Sequence, residues 1–359
     1  MAVQALTPTL PKGEGEEHLL RMSQPSPLWI SEAEVVAMMD IGDAITALEK
    51  ALLAEARGEA MNMVKTHAAW GDGATLHAIG AVFANEGFAG TKTWAHTKGG
   101  ATPLLILFDS DTGALKAIIE AFALGQLRTA GASGVATDRL AAKDADDFAI
   151  IGTGKQALSQ VAAIVAVRPI KRIRVCGPNQ ERREQFAARV KEEFGIETIS
   201  APTVAGAVAG ASIITVATRA TEPIITSQMI AANAHINAIG AIVPSRAEIA
   251  RDVLNRCGQI VVDSVPAAQR LSRELMDFCG AADQESWQRV RSLADVVAAG
   301  ESRATKDDLT LFKSLGMGIS DLALGIELYR QAHAKGLGRE FAQPEKVIPG
   351  LRTAQPISS

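Results

Sequence analysis

The chain has 359 residues, with 36 Lys+Arg against 40 Asp+Glu, a formal net charge of -4, 47% apolar and 21% charged residues. That composition excludes a disordered chain, and a mildly acidic balance without a long basic block gives no electrostatic footprint for nucleic acid or an anionic membrane. At about 150 residues per domain the length points to two domains, each able to bury a core of its own.

Taken in chain order, residues 1–27 carry neither a basic-then-apolar pattern nor a small-residue cleavage site, and read as a flexible leader rather than a secretory signal. From Ser31 the segment SEAEVVAMMDIGDAITALEKALLAEARGEA predicts one helix. Ser31 is its N-cap, Glu34 completes a capping box, and Ile41, Ile45, Leu48 and Leu52 form its apolar stripe. Short β-prone runs follow at residues 76–83, 90–96, 103–109 and 114–122, separated by turn residues, so this half reads as α+β.

Near Asp144 the texture changes. Strands at 148–151, 173–176, 213–217, 235–239 and 260–263 alternate with helix-like segments that include 156–167, 182–194 and 226–231. Such alternation is the signature of βαβ units and a parallel sheet, so the fold class is α/β. A last long helix at about 320–335 is placed to pack back onto the first half. The expected division is 28–140 plus 318–350 for one domain and 141–317 for the other. No stretch reaches the roughly 20 apolar residues that a bilayer requires. Cys176, Cys257 and Cys279 are scattered, with no metal-binding spacing, which suggests reduced thiols, a cytoplasmic protein and no metal site.

The strand ending Phe148-Ala149-Ile150-Ile151 runs directly into Gly152-Thr153-Gly154-Lys155-Gln156-Ala157 and then a helical run, the G-x-G-x-x-A loop in the context it requires. Gly152 permits the tight turn, Gly154 lets the backbone approach a pyrophosphate, and Ala157 allows close helix packing while the helix N-terminus faces the anion. The bland alternative is a glycine-rich turn that binds nothing. At the end of the second strand, Val175-Cys176-Gly177-Pro178-Asn179 has no carboxylate to hold a ribose 2'-hydroxyl. Asn179, Arg182 and Arg183 are available for a 2'-phosphate, which favours NADP over NAD, unless the arginines are simply a solvated helix face.

Outward from that loop lie Gly90-Thr91-Lys92, the run GQLRTAGASGVAT from Gly125 to Thr137, Ile236-Asn237-Ala238-Ile239-Gly240-Ala241, and Thr310-Leu311-Phe312-Lys313-Ser314-Leu315-Gly316. With these motifs in this order, from about Ser31 to Gly336, the chain resembles the ornithine cyclodeaminase/mu-crystallin family. The resemblance implies a Rossmann domain for NADP or NAD and a second domain, built from both chain ends, for substrate binding and homodimer formation.

By position, Lys92 and Arg128 match the two cations that hold the substrate carboxylate, with Lys65 where other members carry an arginine and Leu315 also at the substrate. A guanidinium binds a carboxylate bidentately, and an ammonium reaches both carboxylate and reacting nitrogen; the alternative is two surface cations. His77 falls where cyclodeaminases carry a glutamate and is either a proton donor or a hydrogen-bonded structural histidine. His96 has the same two readings, and Trp94 between Lys92 and His96 shapes the pocket wall. For the cofactor the resemblance adds Arg128, Thr153, Lys155, Gln156, Ala217, Thr218, Ile239, Gly240, Ala241, Ile242, Arg246 and Ser314.

Ile242 stands where the cyclodeaminase reaction needs an aspartate, and an aliphatic side chain neither accepts a proton nor holds an amine. The expectation is therefore an NAD(P)H-dependent reductase of a small 2-imino acid, either a cyclic ketimine or an imine formed from a 2-oxo acid and an amine, giving an L-amino acid. Proton delivery falls to Lys92 or His77. The alternatives are a cyclodeaminase, or a crystallin-like NADP-dependent binding protein, which would leave the charges of Lys92 and Arg128 unpaired.

Overall fold

The computed structural model describes residues 25–280, 284–303, 308–345, 347 and 349; most of the expected leader, residues 1–24, lies outside the described residues. The first half comprises β1 (Leu28–Ile30), α1 (Glu32–Met38), α2 (Ile41–Ala56), β2 (Met61–Asn62), β3 (Thr66–Trp70), β4 (Ala74–Phe83), β5 (Phe88–Thr97), β6 (Gly100–Ala101), β7 (Leu104–Asp109), β8 (Leu115–Glu120) and α3 (Phe122–Leu140).

The single helix expected from Ser31 is two. Ser31 and Glu34 do form a reciprocal capping box on α1, but Asp40 and Asp43 form a second one. The Asp43 N–H donates to Asp40 at 2.9 Å, so the chain leaves the helix at Met39 and starts α2 in a new direction. Residue 122, expected to end a strand, instead begins α3, because Glu32 of α1 accepts its N–H at 3.1 Å and supplies the cap that Ala121 lacks.

The second half continues with β9 (Asp147–Ile151), α4 (Ala157–Val167), β10 (Arg172–Cys176), α5 (Gln180–Phe194), β11 (Glu197–Ala201), α6 (Val204–Val208), β12 (Ile213–Val216), β13 (His235–Ala238), α7 (Arg251–Arg256), β14 (Cys257–Val262), α8 (Val265–Leu271), α9 (Arg273–Cys279), α10 (Gln284–Trp287), β15 (Val290–Ser292), α11 (Leu293–Ala298), β16 (Leu309–Lys313), α12 (Gly318–Lys335) and β17 (Arg339–Glu340). Its strands form a parallel sheet in the order β11-β10-β9-β12-β13-β16-β14-β15. The chain thus runs outward from β9 in one direction and from β12 in the other, the doubly wound Rossmann pattern with its switch point between those two strands. The helix expected at 226–231 is only a 3-10 turn, Ser227–Met229, because Asp252 captures the Ser227 N–H and hydroxyl while Arg256 takes the Ser227 and Ile230 carbonyls.

The first sheet has the order β17-β1-β8-β7-β5-β4-β2, with β3 on β4 and β6 on β5. Helix α12 lies against this sheet through β4, β5 and β7, so the C-terminal helix returns to the first half as its apolar stripe demands. The two halves do not keep wholly separate cores. Val261, Leu293, Val296 and Phe312 of the second half pack into the cluster formed by α2, α3 and α12.

Candidate active site

The nucleotide-binding loops leave the carboxyl edge of the Rossmann sheet, where ligands bind in open α/β sheets. In the loop after β9, Gly152 has φ +111°, and a Cβ there would collide with the Ala217 carbonyl of the loop after β12. Gly154, by contrast, faces open space. Behind it the buried Oε1 of Gln156 has no hydrogen-bond partner, and α4 begins with Ala157 packed fully into the core. Open backbone at a helix N-terminus, with an unpaired polar atom beside it, fits a pyrophosphate. The residues present fit a dinucleotide cofactor, which Gly152, Thr153, Gly154, Lys155 and Gln156 would hold.

The next loop is partly spoken for. Asn179 caps α5 by accepting the Arg182 N–H at 2.9 Å. Arg183 is buried and donates to Ser200 Oγ at 2.8 Å and the Gly177 carbonyl at 2.9 Å. Its proposed share in a 2'-phosphate is therefore corrected: it ties β11 to the loop after β10. Arg182 is exposed and no carboxylate stands at the end of β10.

The loops after β12 and β13 converge on Glu248, which is fully buried. Its carboxylate accepts the Thr218 N–H at 2.6 Å, the Thr218 hydroxyl at 2.7 Å, the Gly240 N–H at 2.8 Å and the Ala241 N–H at 3.0 Å. Burial raises the pKa of Glu248, opposed by Lys313 and by the Thr218 and Ala241 donors. Glu274, paired to buried Lys313 at 2.8 Å, accepts the N–H groups of Glu248 and Ile249. The N–H donors of Thr218, Gly240 and Ala241, and the Thr218 hydroxyl, are thus consumed internally. Ile239 is buried, whereas Ile242 and Arg246 are half-buried in the same loop.

Buried Asp263, after β14, organises the loop after β16. It accepts the Ser314 hydroxyl at 2.9 Å and the N–H groups of Leu315 and Gly316 at 2.8 and 2.6 Å. Leu315, expected at the substrate, has its side chain in the Rossmann core. Gly316, at φ +83°, presses against the Arg128 guanidinium, where a Cβ would come within 2.9 Å of Nη1.

Arg128 sits on α3, a helix held at both ends from outside. Glu32 caps its start, and Arg168 donates to the carbonyls of Thr137, Asp138 and Ala141 at its end, at 2.8, 2.7 and 3.1 Å. Lys92, on β5, is 4% exposed and pairs with Asp321 of α12, which is fully buried and also lies 3.3 Å from Arg128 Nε. Two cations therefore share one carboxylate. Burial, with Arg128 and Lys65 adding repulsion against the attraction of Asp321, brings Lys92 down to about 8.

On the same face of the sheet His77 is stacked between two rings, with centroids 5.6 Å from His67 and 4.8 Å from Trp94. Cross-strand register explains the column, since His67 is opposite His77 and His77 opposite Trp94. His77 Nε2 is 2.8 Å from Thr75 Oγ1, whereas Nδ1 is buried without a partner. Burial lowers the His77 pKa, and Lys65, His67 and His96 lower it further. Half-buried Lys65 is likewise lowered by burial and by Arg128, against the pull of Asp263 and Asp321.

Lys65, His77, Lys92 and Arg128 are thus brought together from the loop before β3, from β4, from β5 and from α3, with Arg128 against Gly316 of the loop after β16. Asp321 and Glu248 were missed. The available signal for Asp321 was an acid on the buried stripe of α12, in line with Leu324 and Leu328. A cavity of about 600 Å³ lined by Asp146, Gly210, Asn233 and Ser302 opens at the opposite, amino edge of the Rossmann sheet and holds none of these groups.

Comparison with known proteins agrees with this layout. The model of the ornithine cyclodeaminase/mu-crystallin family matches residues 27–336. A Delta(1)-pyrroline-2-carboxylate reductase of Bacillus cereus is 30% identical over 239 residues, 66% of this chain and 73% of the relative. The structure of Thermococcus litoralis Delta(1)-pyrroline-2-carboxylate reductase in complex with NADH and L-proline superposes with a TM-score of 0.82 at 26% identity, covering 88% of this chain and 100% of that one. An archaeal alanine dehydrogenase dimer with bound NAD gives 0.81 at 25% identity, over 88% and 99% of the two chains.

Proposed function

The chain belongs to the ornithine cyclodeaminase/mu-crystallin family, and from that premise we propose that this NAD(P)-dependent oxidoreductase of imine and amine groups reduces a small 2-imino acid to the L-amino acid. The observation that carries the reading is the pair Lys92 and Arg128 on one buried carboxylate, Asp321, with Lys92 brought to about 8. Two cations against one anion leave a net positive site that a substrate carboxylate neutralises. Asp321 is the positioning residue, since it fixes both cations relative to the nucleotide loops.

A bound nicotinamide supplies the hydride that adds to the alpha carbon. Arg128 and Lys65 hold the carboxylate, which presents the C=N group to Lys92. As the π pair moves to nitrogen, Lys92 Nζ gives up a proton to it, and solvent restores that proton. A group near 8 is protonated at neutral pH yet releases a proton readily, which suits a general acid. His77, lowered from its usual value, is the weaker candidate for that role. The cofactor reading leans to NADP, on exposed Arg182 and the absence of an acid after β10. A homodimer is supported by the apolar side chains of Met61, Val64, Trp70 and Leu76, each about half exposed or more on and beside β2–β4, which a second copy would cover; sedimentation equilibrium at the monomer mass would remove it.

The test is the near-ultraviolet absorbance of NADPH and NADH with purified protein, cyclic 2-imino acids, and 2-oxo acids supplied with ammonia or methylamine. Consumption that Lys92→Ala and Arg128→Ala each reduce by about a hundredfold or more supports the reductase. Cofactor binding without consumption would sink it. In that event, ammonia release from a diamino acid marks the cyclodeaminase, and its absence the binding protein.

A further inference from the structure

Alternate positions of three neighbouring strands place Thr75 and His77 of β4, His67 of β3, and Lys92, Trp94 and His96 of β5 on one face. Lys65, two residues before His67, adds its ammonium. No Asp or Glu occupies the aligned positions of this face from Phe83 and Phe88 to Thr75 and His96. Asp321 is already shared by Lys92 and Arg128, and among the described residues Lys65 makes no ion pair. Lys65 is drawn toward Asp263 and Asp321, whereas the histidine column of His67, His77 and His96 faces no carboxylate of these strands.

Resting on the reductase reading above, we infer that the substrate is a dicarboxylic 2-imino acid, its first carboxylate on Arg128 and Lys65 and its second received by His77 and His67. His77 presents a buried Nδ1 without a partner, fixed in orientation by stacking on Trp94 and by its contact with Thr75. His77 is a diagonal neighbour of Lys92 across β4 and β5, with backbones about 7–8 Å apart, so a substrate that meets Lys92 at its imine nitrogen carries a group a few carbons further on toward the His77 ring. Burial first, then repulsion by Lys65, His67 and His96, depresses the His77 pKa, and an anion beside the ring would oppose both. Trp94 between the two ends forms the apolar wall for the intervening carbon chain.

The experiment compares kcat/KM for imines formed with methylamine from oxaloacetate and 2-oxoglutarate against those from 2-oxobutyrate and 2-oxovalerate. In parallel, calorimetry on the cofactor-loaded protein compares succinate with butyrate. The diacids are expected to be preferred by about tenfold or more, the scale of one charge-assisted hydrogen bond. His77→Gln and His67→Gln should each move the diacid-to-monoacid ratio toward unity, a readout that general loss of activity does not mimic. A wild-type ratio near one, or a ratio unmoved by both variants, overturns the inference. Tighter binding of succinate without any turnover would overturn the reductase reading and keep the charge recognition; equal binding of succinate and butyrate without turnover overturns both.

Discussion

Lys92 shows how a residue's chemistry is set by its surroundings. An ammonium in water titrates near 10.4, but burial removes hydration and two neighbouring cations add repulsion, and Asp321 restores only part of the loss. In the proposed reaction, imine reduction uses the protonated amine of Lys92. Reduction is therefore expected to hold its rate below a pH of about 8 and to fall about tenfold per unit above it, with oxidation of the amino acid showing the opposite limb. A pH profile of kcat/KM, which reports groups of the free enzyme, checks this in both directions, and a flat profile through that range would remove Lys92 as the acid. Residue types in motifs made Lys92, Arg128 and His77 legible in the sequence. Asp321 was not, because an acid in the first turn of a helix ordinarily faces solvent and favours the N-terminus; only packing shows that this one points inward.

At the scale of elements, the two loops after β12 and β13 are held together by one side chain of the second, Glu248. Glu248 takes four donors from Thr218, Gly240 and Ala241, and Glu274 and Lys313 hold the segment that carries it. Glu248→Gln puts an amide donor among donors and leaves at least one buried N–H unpaired, a cost of about 1–3 kcal/mol. The expected result is about tenfold weaker dinucleotide binding, measured by nicotinamide fluorescence, together with a lower midpoint of denaturant unfolding. Unchanged binding would show that the loops keep their places without it. The strands flanking these loops were readable from apolar runs. The clamp was not, since Glu248 lies 30 residues from Thr218 in a segment with no regular periodicity.

Across the whole molecule the halves meet at Glu55. Its carboxylate, on α2, accepts the Asn62 amide at 2.8 Å, while Asn62 accepts the Ile319 N–H at 3.0 Å at the start of α12. Burial first, then the charge of Asp263 and that of Asp295 from the other half, raise Glu55 to about 7 against a pull from Asn62. A folded-state pKa above the unfolded value means the fold binds the extra proton. That stability is fully present below the unfolded value near 4.5 and is lost as pH rises through about 7. Between pH 5 and 8 the loss should be about 2 kcal/mol after solvent screening, and Glu55→Gln should abolish most of it. Chemical denaturation at the two pH values decides; an equal slope in the variant would place the titrating group elsewhere.

The amino-acid sequence alone determined the class of this protein: the period-two and period-3.6 patterns define βαβ units, Gly152 and Gly154 follow a buried strand, and the spaced motifs carry Lys92 and Arg128. Those are local properties, set by backbone geometry and by the side chains a short segment must bury. Tertiary structure decided what depends on distance. It split the first helix at Asp40, turned Arg183 into a structural tie, gave Lys92 and Arg128 their shared Asp321, and set His67 and His77 on one face within the field of Lys65. Electrostatic environment and burial are sums over neighbours from many elements, and no window of the chain contains them.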